Sequence, residues 1–156
     1  MASKPSISHA YGIGLMALII GAAISIGYYQ LYYIPEYNAK PVIPEKVKNP
    51  GQTTAISIVA GSVNQDQQQN FVPKKQEVQL GVDNLVVWTN QDQAAHYVTP
   101  VKDYKDAYSG DFGSDAISPG KTYQFLFTQI GQIPYYCKVH PWMKGEIDIV
   151  PGALTS

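Results

Sequence analysis

The sequence predicts an all-β domain, a sandwich or a barrel, preceded by one N-terminal membrane helix. From residue 53 onward, short segments rich in β-branched and aromatic residues are separated by Gly, Pro and Asn turns, without a helical period. Residues 11–34 instead form an apolar run without a single charge. A chain of 156 residues is long enough for one domain with attachments.

The uncharged run, residues 11–34, is 24 residues long. Because about 20 apolar residues suffice for a helix to cross a bilayer, we expect a tail at residues 1–10 and then a membrane anchor that Pro35 ends. A cleaved signal peptide is the alternative, but no Ala-x-Ala site follows the run. Tyrosines mark both ends as an interfacial belt would, at Tyr11 and at Tyr28, Tyr29, Tyr32 and Tyr33.

Residues 35–52 contain four prolines and charges of both signs. This composition predicts a semi-rigid, extended tether between the anchor and the β domain. The lysines do not indicate which side of the membrane the domain occupies, because Lys4 lies before the anchor and Lys40, Lys46 and Lys48 lie after it.

The β domain is predicted to span residues 53–151. Residues 85–89 are β-branched and aromatic, as in a buried strand, and residues 61–70 form a polar, glutamine-rich loop. One expected strand places three aromatic residues on one face, Tyr123, Phe125 and Phe127. The expected strands are residues 55–59, 77–80, 85–89, 96–99, 121–128, 133–137 and 145–150.

The charge composition argues against nucleic acid and nucleotides as ligands. The chain has eleven lysines and no arginine, although arginine is the preferred residue for bidentate contacts to phosphate and guanine. From residue 51 onward, seven lysines face ten acidic residues. No glycine-rich nucleotide-binding motif occurs.

Four potential metal ligands distinguish this chain. Cys137, His140 and Met143 lie within seven residues, and His96 precedes Cys137 by 41 residues. The chain has one Cys, three His and three Met in total, so this grouping is unusual. Two imidazoles, one thiolate and a weak axial thioether are the ligands of a blue-copper electron-transfer site. We therefore predict one copper ion at these residues.

Three alternatives explain less of the pattern. Taken singly, Cys137 could be a buried thiol, His140 a surface histidine and Met143 a core residue. A structural zinc site usually has paired Cys-x2-Cys ligands without a thioether, and this chain has no second cysteine. A catalytic Cys–His pair leaves Met143 unexplained and comes with no obvious oxyanion site.

The residues around these ligands resemble a known family. Residues 58–150 are similar to the cupredoxins, the small blue copper proteins, in particular to the plastocyanin, amicyanin and pseudoazurin branch. The gap of two residues between His140 and Met143 is similar to that of amicyanin, whereas plastocyanins have a longer gap. The resemblance is carried by VVWTNQD at residues 86–92, SPGKTYQF at residues 118–125 and YYCKVHPWMKGEI at residues 135–147.

The resemblance implies an eight-stranded Greek-key sandwich with copper at one end. It further implies His96, Cys137 and His140 as equatorial ligands and Met143 as the axial ligand, with the edge of His140 turned to solvent.

Two positions depart from the family pattern. Tyr97 follows the first histidine, where the family often has Asn, so the local hydrogen bonding is expected to differ. Ile133 stands where Tyr is common, and Pro134 after it suggests an edge position or a bulge in that strand.

The function implied is that of a membrane-tethered electron carrier, not an enzyme, which exchanges single electrons with redox protein partners. We expect its copper domain on the extracytoplasmic side of the cell membrane, because a redox copper site is expected on that side. An apolar docking surface is expected at Ala94, Ala95, Pro141, Trp142 and Pro100, although Trp142 could instead only pack over the ligand loop. Acidic residues that could steer a basic partner are Asp103, Asp106, Asp111 and Asp115.

Other redox roles remain open to different degrees. A fixed subunit of a membrane redox complex is the main alternative, and a copper-delivery protein is a second, although its typical Met- and His-rich exposed sites are absent. A copper enzyme of this fold needs further His ligands, and the third histidine, His9, precedes the anchor. A binuclear copper centre needs two cysteines, and the chain has one.

Overall fold

The computed structural model of the chain describes residues 7–38 and 42–152, with side chains from residue 11 onward. The chain divides into two compact units, one up to residue 40 and one from residue 41. The first unit contains the apolar segment and the second contains the β domain. Of the predicted tail, residues 1–6 lie outside the described part, and residues 7–10 belong to the first helix.

A helical segment forms the first unit. It consists of α1 (Ile7–Tyr28), a π-helical turn (Tyr29–Tyr33) and α2 (Ile34–Tyr37). The prediction that Pro35 ends the helix is wrong, because Pro35 lies in the first turn of α2, a position that tolerates its missing N–H. Residues Tyr11–Tyr37 include an 18-residue stretch with a mean hydropathy of 1.8 and are long and apolar enough to cross a membrane, as a signal sequence would also be.

Exposed tyrosines follow one another along the end of this segment. The rings of Tyr28 and Tyr32 stack with centroids 5.6 Å apart, and those of Tyr29 and Tyr33 with centroids 5.2 Å apart. A spacing of four residues places each pair on the same face of the helix. Amphipathic tyrosine rings of this kind are enriched at membrane interfaces.

The second unit begins before the first strand, in the segment predicted to be an extended tether. There α3 (Glu45–Lys48) forms a single helical turn, which an ion pair between the side chains of Glu45 and Lys48 supports. Val47 is buried, and its carbonyl accepts a hydrogen bond from the side-chain amide of Asn84 at 2.9 Å. The prediction of an extended tether is therefore wrong for residues 45–48, because burial of Val47 fixes this turn on the β domain.

Two four-stranded mixed sheets make up the β domain and confirm the predicted sandwich. One sheet has the order β2-β1-β4-β8 and the other the order β3-β10-β9-β5, and β6 pairs with β7 in a separate ribbon. Strands β1 and β4 are parallel, as are β3 and β10. The strands are β1 (Thr53–Ile58), β2 (Phe71–Val72), β3 (Lys75–Gln79), β4 (Leu85–Asn90), β5 (Thr99–Pro100), β6 (Lys105–Asp106), β7 (Gly110–Asp111), β8 (Thr122–Leu126), β9 (Gly131–Cys137) and β10 (His140–Val150).

The predicted strands correspond to observed ones except around residues 96–99. There His96 forms only an isolated bridge with Ile117, and the strand itself is Thr99–Pro100. The short β2 and the β6–β7 ribbon were not predicted, because two-residue strands carry no measurable alternation. Pro134 lies in β9, paired with Glu146 on one side, while its carbonyl accepts from Val101 just beyond the end of β5. β9 is an inner strand between β10 and β5, so the edge position or bulge predicted for it is not found. Pro134 is tolerated because β5 ends opposite Tyr135, one residue away from it.

Aromatic side chains from both sheets meet in the core around Trp88. The indole of Trp88 lies edge-on to Tyr135, with centroids 5.7 Å apart, and 5.4 Å from the ring of Tyr123. Phe125 and Phe127 are buried and Tyr123 is partly buried, which agrees with the prediction that the three share one face. Since each such ring buries a large apolar area, this cluster holds the two sheets together through the contact between Trp88 of β4 and Tyr135 of β9.

A tight connection between β9 and β10 holds three of the predicted ligands. Cys137 is the last residue of β9, His140 is the first of β10, and the two residues pair across the hairpin. The register then shifts between His140 and Lys144, so that β10 bulges. Met143 lies in this bulge and is fully buried.

Candidate metal centre

Three of the predicted ligand atoms converge at one end of the β domain. The Sγ atom of Cys137 lies 3.8 Å from Nδ1 of His96 and 3.6 Å from Nδ1 of His140, and the two Nδ1 atoms are 3.2 Å apart. Among the described residues, no other group of three or more histidine, cysteine or carboxylate side chains converges in this way. The fold thus brings together residues that are 41 positions apart in the sequence.

The spacing of these atoms fits one metal ion. Ligand atoms at about 2.0 to 2.3 Å from a common ion and at angles of about 120° lie about 3.5 to 3.8 Å from each other. The two distances to the sulfur match this triangle, and the shorter distance between the nitrogens corresponds to a somewhat narrower angle. With Met143 buried in the adjacent bulge, the His96, Cys137, His140 and Met143 set has the arrangement of a type 1 copper site.

The surroundings of Cys137 favour the thiolate, which is the form of cysteine that binds metal. Burial alone would raise the pKa of its thiol, but the hydrogen bond with His96 and the backbone N–H groups of Tyr97, Val139 and His140 outweigh burial and lower this pKa. The backbone N–H of Tyr97 lies 3.4 Å from the sulfur. The residue after the first histidine therefore reaches the sulfur through its main chain, although it is Tyr rather than the Asn common in this family.

His96 is fully buried and anchored by its main chain, which exchanges two hydrogen bonds with Ile117 at 3.1 Å and 2.8 Å. Its Nε2 atom lies 2.8 Å from Oδ2 of Asp92. Because a carboxylate can only accept, we assign the ring proton to Nε2, which leaves Nδ1 free to bind a metal. Burial alone would lower the pKa of His96, but the hydrogen bonds and charges of Cys137 and Asp92 raise it overall.

Asp92 was missed in the sequence reasoning. It is buried, and besides His96 its carboxylate accepts from the backbone N–H groups of Gly61 and Gln93, at 2.9 Å and 2.8 Å. The sequence feature that could have pointed to Asp92 is its position, four residues before the predicted ligand His96. A turn between the two residues places that carboxylate on the far nitrogen of the ring.

His140 is partly exposed, unlike His96. Its ring lies against the indole of Trp142, with centroids 5.2 Å apart. Burial and then the neighbouring His96 lower the pKa of His140, so its imidazole stays neutral and available as a ligand. This histidine is therefore the ligand through which the site reaches the surface.

The residues predicted to form an apolar docking surface are only partly exposed. Ala95 and Pro141 are exposed, and Ala94 and Trp142 are intermediate. Pro100 instead lies in β5 opposite Tyr135 and lines a separate hollow of about 320 Å³ with the acidic residue Asp103.

Asp106 does not belong to the exposed acidic group in which it was placed. It is fully buried, whereas Asp103, Asp111 and Asp115 are exposed. Its carboxylate accepts from both the backbone N–H and the hydroxyl of Thr128, each at 2.6 Å. The prediction that Asp106 steers a partner is wrong, because its carboxylate is buried and accepts hydrogen bonds within the domain.

The family of the chain follows from a comparison with known proteins. A family model described as copper binding proteins of the plastocyanin/azurin family matches residues 45–150. The chain belongs to this family. The match begins at α3, which agrees with the burial of Val47 on the domain. A comparison of this cupredoxin with curated proteins finds no match.

Several solved structures are similar to this chain. A purple cupredoxin from Nitrosopumilus maritimus is 25% identical, with a TM-score of 0.52 over 62% of this chain and 99% of its own. A copper-containing nitrite reductase from Thermus scotoductus SA-01 is 20% identical, with a TM-score of 0.50 over 72% of this chain but only 28% of its own. An amicyanin structure is 18% identical, with a TM-score of 0.49 over 67% of this chain and 89% of its own.

Proposed function

We propose that this cupredoxin is a membrane-tethered carrier of single electrons, with copper held by His96, Cys137 and His140 and by Met143 as a weak axial ligand. The observation that supports the proposal is the triangle of donor atoms, 3.2 to 3.8 Å apart, beside a bulge of β10 in which Met143 is buried. Bound copper would supply the one-electron couple between Cu(II) and Cu(I). An enzyme activity is not part of this proposal, since cupredoxins are typically electron carriers.

The protein's contribution is to keep the ligands in place during electron transfer. His96 is fixed by its main chain and by Asp92, and Cys137 ends a strand paired on both sides. Ligands that cannot rearrange leave little geometry to change between the two oxidation states, so that electron transfer is fast. The hydrogen bond from the Tyr97 N–H to the sulfur is a further means of setting the potential.

Electrons would enter and leave through the exposed edge of His140. We propose that Pro141 and Trp142, together with Ala94 and Ala95, form the docking surface for redox protein partners. The exposure of Pro141 and Ala95 and the contact between His140 and Trp142 support this assignment. Transient redox encounters of this kind bury little surface.

The apolar helical segment would serve as a retained single-pass anchor, with the copper domain on the extracytoplasmic side. Its length, its hydropathy and the tyrosine pairs at its end support an anchor. In this proposal the predicted tether is shortened at its C-terminal end, because α3 already belongs to the domain. Purification of the full chain from membranes and mass measurement of its N-terminus would test retention, and a mature chain lacking residues 11–34 would contradict it.

The main alternative is a fixed subunit of a membrane redox complex, and copper delivery is a second. Purification in mild detergent separates the first, because a carrier is recovered alone whereas a subunit is recovered with its partners. A delivery protein would pass copper to an acceptor without blue colour or fast electron exchange.

The decisive experiment is the visible and EPR spectrum of the full chain in detergent, loaded with Cu(II). Wild type should show an intense blue band with narrow copper hyperfine splitting. Cys137→Ser should abolish the band, and Met143→Leu should only shift it. A pale copper spectrum, or tighter binding of zinc than of copper without colour, would contradict the proposal.

A further inference from the structure

We propose that Asp92 is a positioning residue that lowers the reduction potential of the copper site through His96. The inference rests on the proposed electron-carrier function and on the contacts that surround this carboxylate. It assigns a role to an acidic residue that binds no metal in the proposed site.

The carboxylate of Asp92 is ionised in this arrangement, because two backbone N–H groups donate to it and its third partner is the more basic imidazole of His96. Oδ1 accepts from the backbone of Gly61 and Gln93, and Oδ2 accepts from Nε2 of His96 at 2.8 Å. A neutral carboxyl at this distance would transfer its proton to Nε2 of His96, because an imidazole nitrogen is a stronger base than a carboxylate. Asp92 is 4% exposed and His96 is 0% exposed, so water screens this charge poorly.

The position of the carboxylate is fixed by a second layer of hydrogen bonds. The backbone N–H of Asp92 donates to Oδ1 of Asn90 at 2.9 Å. The amide group of Asn90 in turn donates to the carbonyls of Ala94 and Ile117, at 2.7 Å and 2.8 Å. Ile117 is also the residue that pairs with the main chain of His96. The same network thus holds both the carboxylate and the ligand that it contacts.

Two consequences follow for the copper site. The carboxylate holds the proton of His96 on Nε2 and thereby keeps Nδ1 as the ligand atom. It also places a full negative charge one imidazole ring away from the metal. A negative charge stabilises the more positive oxidised ion over the reduced ion, so it lowers the potential. A neutral carbonyl at the same position would orient the ring but would supply only a dipole.

The test compares Asp92→Asn with Glu77→Gln, which changes the net charge equally. Glu77 is exposed on β3, where it pairs with Asp148, which in turn pairs with Gln132. Gln132 precedes Cys137 by five residues, about 16 Å along a strand. The potentials of wild type and both variants are measured by spectroelectrochemistry on the full chain in detergent, together with the blue band.

In Asp92→Asn, we expect the equilibrium to shift toward Cu(I) by tenfold or more, a rise of at least 59 mV for one electron. Glu77→Gln should shift it less than twofold. A purely structural role for Asp92 predicts lower stability with an unchanged potential. A blue Asp92→Asn variant whose potential equals that of Glu77→Gln would overturn the inference but leave the proposed function intact. A wild type without a blue band would overturn both.

If Asp92→Asn fails to fold, a second measurement tests whether Asp92 holds the ring proton of His96. In the Cu(I) form of the ¹⁵N-histidine-labelled wild type, Nε2–H of His96 should give an NMR signal that exchanges slowly with water. The partly exposed His140 in the same molecule is the internal reference for fast exchange. A His96 ring proton that exchanges as fast as that of His140 would show that Asp92 does not hold it.

Discussion

The indole ring of Trp142 lies against the imidazole of His140, with the ring centroids 5.2 Å apart. Its Nε1–H also donates to the carbonyl of Ser62 at 3.2 Å. Trp142 therefore ties the ligand hairpin to the loop at residues 61–70, and it remains partly exposed beside the proposed electron-exit ligand. Packing over the loop and a place on the docking surface are compatible roles for this residue.

Replacement of Trp142 should separate its packing from its hydrogen bond. Trp142→Phe keeps an aromatic ring near His140 and loses the donor to Ser62, so we expect a loss of about 1 kcal/mol in unfolding free energy. Trp142→Ala also loses the packing and should cost about 2 to 3 kcal/mol, because the side chain is only partly buried. Urea unfolding of the copper-loaded protein measures both. Equal losses in the two variants would show that the ring contact contributes nothing.

Gly145 supports the ligand hairpin by leaving room for Tyr135. The two residues pair across β9 and β10, and a Cβ atom on residue 145 would overlap the phenol ring of Tyr135. Gly145→Ala should therefore destabilise the protein by about 1 to 3 kcal/mol through overpacking. Gly51→Ala, where nothing lies within 4 Å of the added atom, is the matched control and should change stability by less than about 0.5 kcal/mol.

A double-mutant cycle identifies the cause of the Gly145→Ala effect. In a Tyr135→Leu background the clash is removed, so Gly145→Ala should cost much less there than in wild type. Thermal unfolding of the four proteins measures this coupling. Additive effects would place the cause of the destabilisation in the backbone rather than in the contact with Tyr135.

The four proposed copper ligands could be singled out from the sequence because each residue type is rare in this chain and three of them share one hairpin. The alternation of apolar residues also predicted the main strands, since a half-buried strand repeats every two residues. Asp92 and Asp106 were not predictable in the same way. Each of them also has a partner distant in sequence, with Gly61 lying 31 residues before Asp92 and Thr128 lying 22 residues after Asp106. Only the folded arrangement of loops shows that these carboxylates are buried and satisfied.

The helical turn at residues 45–48 was missed for a related reason. Prolines and mixed charges dominate that segment and indicate an extended chain. A single apolar residue, Val47, outweighs this tendency because the β domain offers it a buried position and a hydrogen bond from Asn84. Tertiary contacts of one side chain carry no periodic signal in the sequence.

Asp106 should contribute strongly to stability through the hydrogen bonds that it accepts. Besides both groups of Thr128, the backbone N–H groups of Tyr108 and Ser109 donate to it at 2.9 Å and 3.0 Å. Asp106→Asn turns one acceptor into a donor facing these groups, so we expect a loss of about 2 to 3 kcal/mol. Asp111→Asn, exposed on the same ribbon, is the control and should have little effect.

The stability that Asp106→Asn loses relative to wild type should become smaller as the pH falls. Burial alone would raise the pKa of Asp106, but the hydrogen bonds from Thr128 and from the backbone of Ser109 and Tyr108 outweigh burial and lower this pKa. A carboxyl with a lowered pKa in the folded state stabilises the protein fully above its unfolded pKa of about 3.9, and this stabilisation is lost as pH falls through the folded value. The stability difference between wild type and Asp106→Asn should therefore shrink below about pH 4. A difference that stays constant from pH 7 to pH 3 would contradict this.

The proposed docking surface can be tested without a natural partner, through electron self-exchange between two copies of the protein. Two molecules that transfer electrons through their His140 edges bring their Ala95 residues close together. Ala95→Lys places a positive charge on each of the two molecules, so they repel each other. The self-exchange rate at low salt should therefore fall by about tenfold, and it should recover as added salt screens the repulsion. Gln79→Lys adds the same charge on exposed β3, opposite the far end of β10, and should leave the rate unchanged. NMR line broadening in mixtures of oxidised and reduced protein measures the rate, and equal slowing in both variants would move the exchange surface away from His140.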